Sequence, residues 1–572
     1  MQKKQTILVV ASLLVVVLSV TLAYFTAQII GEGKNISVSS ADLKIVFTDT
    51  DGNIEGNDIT PGWSNSKTFT VKNESNGTYK YDIIIKDLVN TFKTYKYLEY
   101  KITSTDGGYN MTDYSYLPKS STKEDVALAY EVSIDKGKTH TYTIEIKYVN
   151  DESVDQSIDM GKSLSGTIYI REFTKPTMKL TDKLMADNPT IDTRTTFTAF
   201  TETNTGTLYK ATEQIGTNPV KDVYYFAGDA KNNWVKFGKT TESPCTYKGK
   251  EVVFVNMTNQ IVRNSENETE CTSTNICDAG ENGGYAVGLT ESECNELGYT
   301  WTTEKATWNG ATTNDMYWRI IRTNADGSIK LLYAGTSPDS DKAYVGTSLF
   351  NTTSNDSMYV GYKYGTTGSL ENNRLNTNDS TIKTYVDNWY KNNLTAYTKY
   401  LSNDAVYCND RNLASGQSYS TTSRFNYAPY ERINTNKQPT YNCTNMSDAF
   451  SVNNTSAKLD YPVGLMSIDE LSYAGGEYHT TLDAPYAWYY TNANGESSYG
   501  SAAFLPLSPC YWSGYSSGVW RVLGPGVLSD IDMDNSIGVR PSVSLSSCNL
   551  ISRGDGSPEN PYVVYTGSGV CE

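Results

Sequence analysis

Hydrophobic and polar positions follow different rhythms along this chain, and each rhythm predicts a different kind of element. Residues 7–25 form an apolar run broken only by Ser and Thr, preceded by Lys3 and Lys4. A basic start and an apolar centre through Ile7, Leu8, Val15 and Leu22 lead to the small-x-small ending Thr21-Leu22-Ala23. The segment reads equally as a secretory signal cut between Ala23 and Tyr24 or as a retained single-pass anchor, because its length approaches the roughly 18–20 residues that span a bilayer. Either reading places the rest of the chain outside the cell.

The rhythm then shortens to two. Apolar residues alternate in Leu43-Ile45-Phe47, Phe69-Val71, Tyr79-Tyr81-Ile83-Ile85, Leu98-Tyr100-Ile102, Leu128-Tyr130-Val132-Ile134, Tyr142-Ile144-Ile146-Tyr148 and Ile168-Ile170. These are half-buried strands, separated by turn formers such as Pro61-Gly62, Asn76-Gly77 and Lys136-Gly137-Lys138. An antiparallel β-sandwich over residues 28–173 is predicted. Residues 174–207 show no sustained period and carry Pro176 and Pro189, so a linker or stalk is expected there.

Beyond it, residues 208–572 mix the two periods. The run Tyr317–Arg322, a turn ending in Asp326-Gly327, and the run Ile329–Tyr333 predict a hairpin. Ile382, Tyr385, Val386, Trp389, Tyr390 and Leu394 share one helical face, with Asp379 or Ser380 as N-cap. Ser467 and Glu470 form a capping box ahead of a short helix that Gly475-Gly476 stops. The strands expected around Trp234 and Tyr317 belong side by side, which makes residues 239–315 an insertion. The fold class predicted for the whole chain is mainly β: a membrane or signal helix, a sandwich, then an α+β domain.

Charge narrows the partners. A net charge of -16, from 48 basic and 64 acidic residues, excludes the electrostatic footprint of a nucleic-acid binder or of docking on anionic lipid. At 572 residues the chain holds two or more domains, and its 45 tyrosines favour sheet and loop over helix. The aromatic clusters containing Tyr489, Tyr490, Tyr511 and Trp512 are expected to offer a rigid amphipathic surface to sugars or proteins, or else to be strand residues with one face buried.

Nine cysteines begin only at Cys245. In an exported chain they predict disulfides, with Cys408–Cys443 and Cys548–Cys571 as pairs, two further bonds among Cys245, Cys271, Cys277 and Cys294, and Cys510 as the odd thiol. With only His140 and His479 available, neither a Cys/His zinc site nor a His-based nucleophilic triad can be assembled from the sequence. No cofactor is called for, no catalytic residue is assigned, and the chain is read as a non-enzyme. Asp49–Asn53 lacks the Gly and Glu of a calcium loop, and Asp530–Asp534 reads as an acidic hairpin tip. Arg540 is expected to be a structural arginine paired with a carboxylate, on a strand that Pro541 confines to an edge or to its first turn. Arg553-Gly554-Asp555 falls in a Gly-rich turn.

Two resemblances add to this. Ala23-Tyr24-Phe25-Thr26, residues 39–43, and the stretch from Pro61-Gly62-Trp63 to Phe69-Thr70-Val71-Lys72-Asn73 resemble the TasA/camelysin family of secreted bacterial biofilm-matrix proteins. The resemblance covers residues 22–170 and implies a jelly-roll-like sandwich. The chain departs from the pattern at Trp63, where an acidic residue is usual, and at Thr26. In the C-terminal part, Ser508-Pro509 and Gly538-Val539-Arg540-Pro541-Ser542-Val543-Ser544-Leu545 resemble uncharacterised bacterial surface domains similar to the C-type-lectin and formylglycine-generating-enzyme folds. Together they imply a bacterial cell-surface adhesin-like protein, membrane-anchored or secreted, that meets carbohydrate or protein ligands outside the cell. The alternatives are a structural fibre subunit and, third, an extracellular enzyme.

Overall fold

Alternation at the level of single residues explains the N-terminal unit, Met1–Lys175. In the strand Thr139–Tyr148 every second residue, from His140 to Tyr148, is buried. All seven alternating runs lie on strands. The computed structural model describes four strands before Ile59 (27–29, 36–40, 43–49 and 54–56). From 59 on it describes all residues except 112–113, 153, 243–244, 248–249, 256–260, 265–267, 274, 279–284, 309–311, 339–342, 491–502, 568 and 572. Ile7, Leu8, Val15, Leu22, Ala23 and Tyr24 lie outside the described residues, as do Asp51-Gly52-Asn53. Among the described residues no helix is long and apolar enough to cross a membrane.

Two sheets build the unit. One runs in the order Ile54–Gly56, Ala27–Ile29, Leu164–Glu172, Tyr79–Asn90, Ser120–Ile134. The other runs Ile36–Ser40, Leu43–Asp49, Ser64–Asn73, Thr139–Tyr148, Leu98–Ser104, Ser115–Tyr116. Pairing is antiparallel except between Ala27–Ile29 and Leu164–Glu172. Phe69, Val71, Ile144 and Ile146 of one sheet share a core with Ile83, Ile85, Leu128 and Ile168 of the other. Each such side chain contributes about 1.5–3 kcal/mol by leaving water. The pairing of Tyr79–Asn90 with Ser120–Ile134 is interrupted by bulges, and Glu131 there takes a φ of 53°. Buried Asp82 accepts the Glu131 N–H at 3.0 Å and pairs with Arg171 at 2.8 Å, which holds the irregular backbone in place.

The second unit, Pro176–Glu572, begins where a linker was expected. Residues 176–207 are instead part of the fold: the helix Leu180–Asp187 buries Leu180 and Leu184, and the strand Thr190–Asp192 pairs with Thr207–Glu213. The short helix and three-residue strand left no period long enough to read. Tyr562 donates to Asp187 at 2.9 Å and Asn232 to Asn188 at 2.7 Å, so polar contacts hold the segment down.

A ten-stranded sheet forms the centre of this unit. Its main path runs Thr190–Asp192, Thr207–Glu213, Lys221–Tyr225, Thr312–Thr323, Trp234–Glu242, Tyr562–Val564, Ile551–Arg553. The predicted hairpin is present, with Ile329–Tyr333 between Thr312–Thr323 and Ser542–Leu545. The helix Thr381–Asn393 starts where the Ser380 hydroxyl accepts the Lys383 N–H, and the Ser467/Glu470 capping box opens Ile468–Tyr473. Trp234–Glu242 pairs with Thr312–Thr323 up to Glu242 opposite Thr312, so the insertion leaves and rejoins at adjacent points. It carries its own sheet and the disulfides Cys245–Cys271 and Cys277–Cys294. The remaining pairs are Cys408–Cys443 and Cys548–Cys571, and Cys510 is free and buried.

Three expectations are corrected here. Arg540 is fully buried but has no carboxylate partner among the described residues: it donates to the carbonyls of Tyr333 at 3.0 Å and Tyr489 at 2.5 Å. Its strand, Ser542–Leu545, is central, paired with Ile329–Tyr333 on one side and Val463–Gly464 on the other; Pro541 immediately precedes it. Asp530 and Asp532 are on the strand Val527–Asp532, accepting from Tyr478 at 2.7 Å and Tyr511 at 2.9 Å. The tip of that hairpin is Gly524-Pro525-Gly526, where the positive φ of Gly526 makes the turn.

Candidate functional cleft

The aromatic residues chosen from the sequence do not form a surface. Tyr489 is 0 %, Trp512 3 % and Tyr490 5 % exposed, while half-buried Tyr511 is tied to Asp532. Tyr489 and Tyr490 lie in a buried turn, and alternation cannot tell which face of the strand Pro509–Trp512 meets a second layer. The two histidines belong to different units: His140 Nδ1 lies 2.8 Å from the Tyr81 hydroxyl in the N-terminal unit, and His479 stacks on Tyr478 in the second. Burial pushes the His140 pKa down against the opposing pull of Asp106 and Asp135, and pushes the Cys510 thiol well up.

A cluster invisible in the sequence does converge. Asp379, Asp387 and Asp460 bring carboxylate oxygens within 4.8 Å of one another, as a divalent-cation site would. The Lys383 ammonium, fully buried, already occupies their centre at 3.2, 2.6 and 2.9 Å. The cation of this site is covalently part of the chain.

An open concavity among the described residues of the second unit lies elsewhere. Four segments line a cleft of about 470 Å³, inside the ~300–1,000 Å³ range of ligand pockets. The turn between Thr207–Glu213 and Lys221–Tyr225 supplies Ile215, Asn218, Pro219 and Lys221. The hairpin turn supplies Asn324, Ala325 and Asp326; Asp404–Val406 and residues 446–454 complete it. Local chemistry fixes each wall. Asp326 closes its own turn by accepting Ser328 N–H at 2.9 Å, and Ser402 donates to it at 2.6 Å. Asn453 donates to Asp404 at 2.8 Å, and Asn454 to the Met446 carbonyl at 2.7 Å. The Cys408–Cys443 disulfide ties two walls together, since Cys443 exchanges backbone hydrogen bonds with Gln214 and Gly216.

Behind the cleft floor is a layer of buried charge. Glu213 faces both: it accepts Arg322 at 2.8 Å and the Ala325 N–H at 2.5 Å. Glu470 accepts Arg322 at 2.9 Å and Lys330 at 2.7 Å. Arg432 bridges Asp410 at 2.7 Å and Asp469 at 2.9 Å. Burial would raise the Glu470 pKa, but Lys330 and Arg322 hold it below the ordinary carboxylate value. Burial leads the other way at Asp410, whose pKa stays raised despite Arg432. The cavity among these groups is about 20 Å³, enough for one water and for no organic ligand. This layer is scaffold; the cleft is where a ligand fits.

Comparison with known proteins places no family on this chain. No family model matches, and no curated protein matches. One solved structure, described as AvmM catalysing macrocyclization in alchivemycin A biosynthesis, aligns with 26% of this chain and 100% of its own at 11% identity. Its TM-score of 0.14 carries no argument.

Proposed function

We propose that this chain is an extracellular binding protein of adhesin type, in which the Pro176–Glu572 unit engages ligands through the Ile215–Asp326–Asp404–Met446 cleft. The observation that carries the reading is the cleft itself: ligand-sized, open, and lined by amides, carboxylates and aliphatic groups. Neither histidine nor free thiol lines it, so its groups suit recognition better than nucleophilic or imidazole-based catalysis. Four disulfides fit an oxidising exterior, and residues 7–25 supply the export signal or anchor of a cell-surface or secreted protein. The N-terminal sheets are read as the jelly-roll-like sandwich of the TasA/camelysin pattern, and the second unit as lectin-like.

Panels of extracellular proteins and glycans, probed with the full chain and with a Val220→Trp/Met446→Trp variant that fills the cleft rim, test this. Ligand capture by the parent and not by the variant supports it; capture untouched by the variant moves the site elsewhere. The alternative is a structural fibre subunit, in which the N-terminal unit polymerises by strand exchange. Filaments in electron micrographs, with no ligand captured, favour that reading.

A further inference from the structure

We infer that the cleft takes an extended segment of a partner protein carrying a basic side chain next to an aliphatic one; this rests on the binding role proposed for the cleft.

Charge is the first argument. Within the layer behind the floor, Glu213, Asp410, Asp469 and Glu470 are all ion-paired. Asp326 and Asp404, exposed in the cleft, form no ion pair among the described residues. Each has neutral donors only, Ser328 and Ser402 for Asp326 and Asn453 for Asp404, and a carboxylate offers about four acceptor positions, so capacity remains toward the cleft. Among the described residues Lys221 is the one cation that lines the wall. A ligand cation therefore finds two uncompensated carboxylates.

The apolar part says what lies beside that cation. Ile215, Pro219 and Met446 line one side, and neighbouring Val220 is 55% exposed, Met446 39%. Aliphatic and thioether groups of this kind adapt to aliphatic side chains. Among the described residues no aromatic ring lines the cleft, so they offer a sugar ring no flat platform.

The probe is a fluorescein-labelled octapeptide, Gly-Ser-Leu-Lys-Leu-Ser-Gly-Ser, with Gln and Glu versions at the Lys, read by anisotropy on the full chain. A glucosamine tetramer, cationic but a sugar, serves as competitor. The Lys peptide is expected to bind saturably, the Gln peptide more weakly and the Glu peptide weakest. Asp326→Asn with Asp404→Asn should weaken the Lys peptide about tenfold, and Lys221→Glu should tighten it about two- to fivefold, the span of single exposed charge pairs. A tightening cannot come from misfolding. No saturable peptide binding, equal binding of the three peptides, no response to the charge variants, or displacement of the Lys peptide by the glucosamine tetramer overturns the inference. If Val220→Trp/Met446→Trp abolishes ligand capture while the peptide series is blind to charge, the binding role stands and this inference alone falls.

Discussion

Arg322 and Glu470 meet at 2.9 Å with side chains only 4% and 2% exposed, and the same Glu470 side chain closes the capping box by accepting the Ser467 N–H at 2.9 Å. One carboxylate thus starts a helix with one oxygen and neutralises Arg322 and Lys330 with the other. Buried cations need such a partner, because removing it leaves charge in a medium that cannot solvate it.

Glu470→Gln keeps the shape and removes the charge. It is expected to destabilise the second unit by about 3–5 kcal/mol, seen as a lower urea midpoint. The pH dependence follows the same way. With its folded pKa held below the unfolded value, Glu470 contributes stability that is fully present above the ordinary carboxylate pKa and is lost as pH falls through the folded one. Acid titration of the urea midpoint should therefore be shallower in the variant than in the parent.

His140 makes the N-terminal unit acid-sensitive at milder pH. Burial keeps its folded pKa below 6.5, so beneath that value the unfolded chain takes a proton that the folded one, with Tyr81 on Nδ1, does not. Asp106 and Asp135 pull the other way without reversing the direction. Hydrogen exchange in the strand Thr139–Tyr148, corrected for intrinsic pH effects, should report falling protection from about pH 7 to about pH 5, and His140→Gln should flatten that trend.

Lys383→Ala should destabilise toward the low end of about 3–5 kcal/mol, since Asp387 is buried while Asp460 and Asp379 face solvent. The three carboxylates then lack their cation. Millimolar calcium is expected to raise the melting temperature of this variant by more than that of the parent.

Replacing Cys408 and Cys443 by Ser opens a loop with a sequence separation of 35. The chain-entropy relation gives a loss of about 3–4 kcal/mol. Ligand capture by the cleft should fall as well, because the bond ties Cys408, beside the Asp404–Val406 wall, to Cys443, which exchanges backbone hydrogen bonds with the Gln214–Gly216 turn.

Local signals were legible where neighbouring residues decide the outcome. The alternation from Tyr142 to Tyr148, the Ser380 cap, the Ser467/Glu470 box and the hairpin through Asp326-Gly327 all involve contacts a few residues apart. The cleft was not legible, since Ile215, Asp326, Asp404 and Met446 approach only through the tertiary fold. Tyr489 and Trp512 show why composition misled: an aromatic suits a core as well as a binding face, and nothing in its own turn or strand says which layer covers it. Arg540 was read as a charge seeking a charge, yet carbonyl oxygens from two distant segments satisfy it.

Glu242 and Thr312 stand opposite each other on paired strands, at the two points where the disulfide-bearing insertion departs and returns. Because these ends are already neighbours, the entropic penalty of whatever is spliced between them grows only with the logarithm of its length. The hairpin is in effect an exchangeable socket. An engineer can seat an epitope or reporter at the same place while leaving the central sheet untouched.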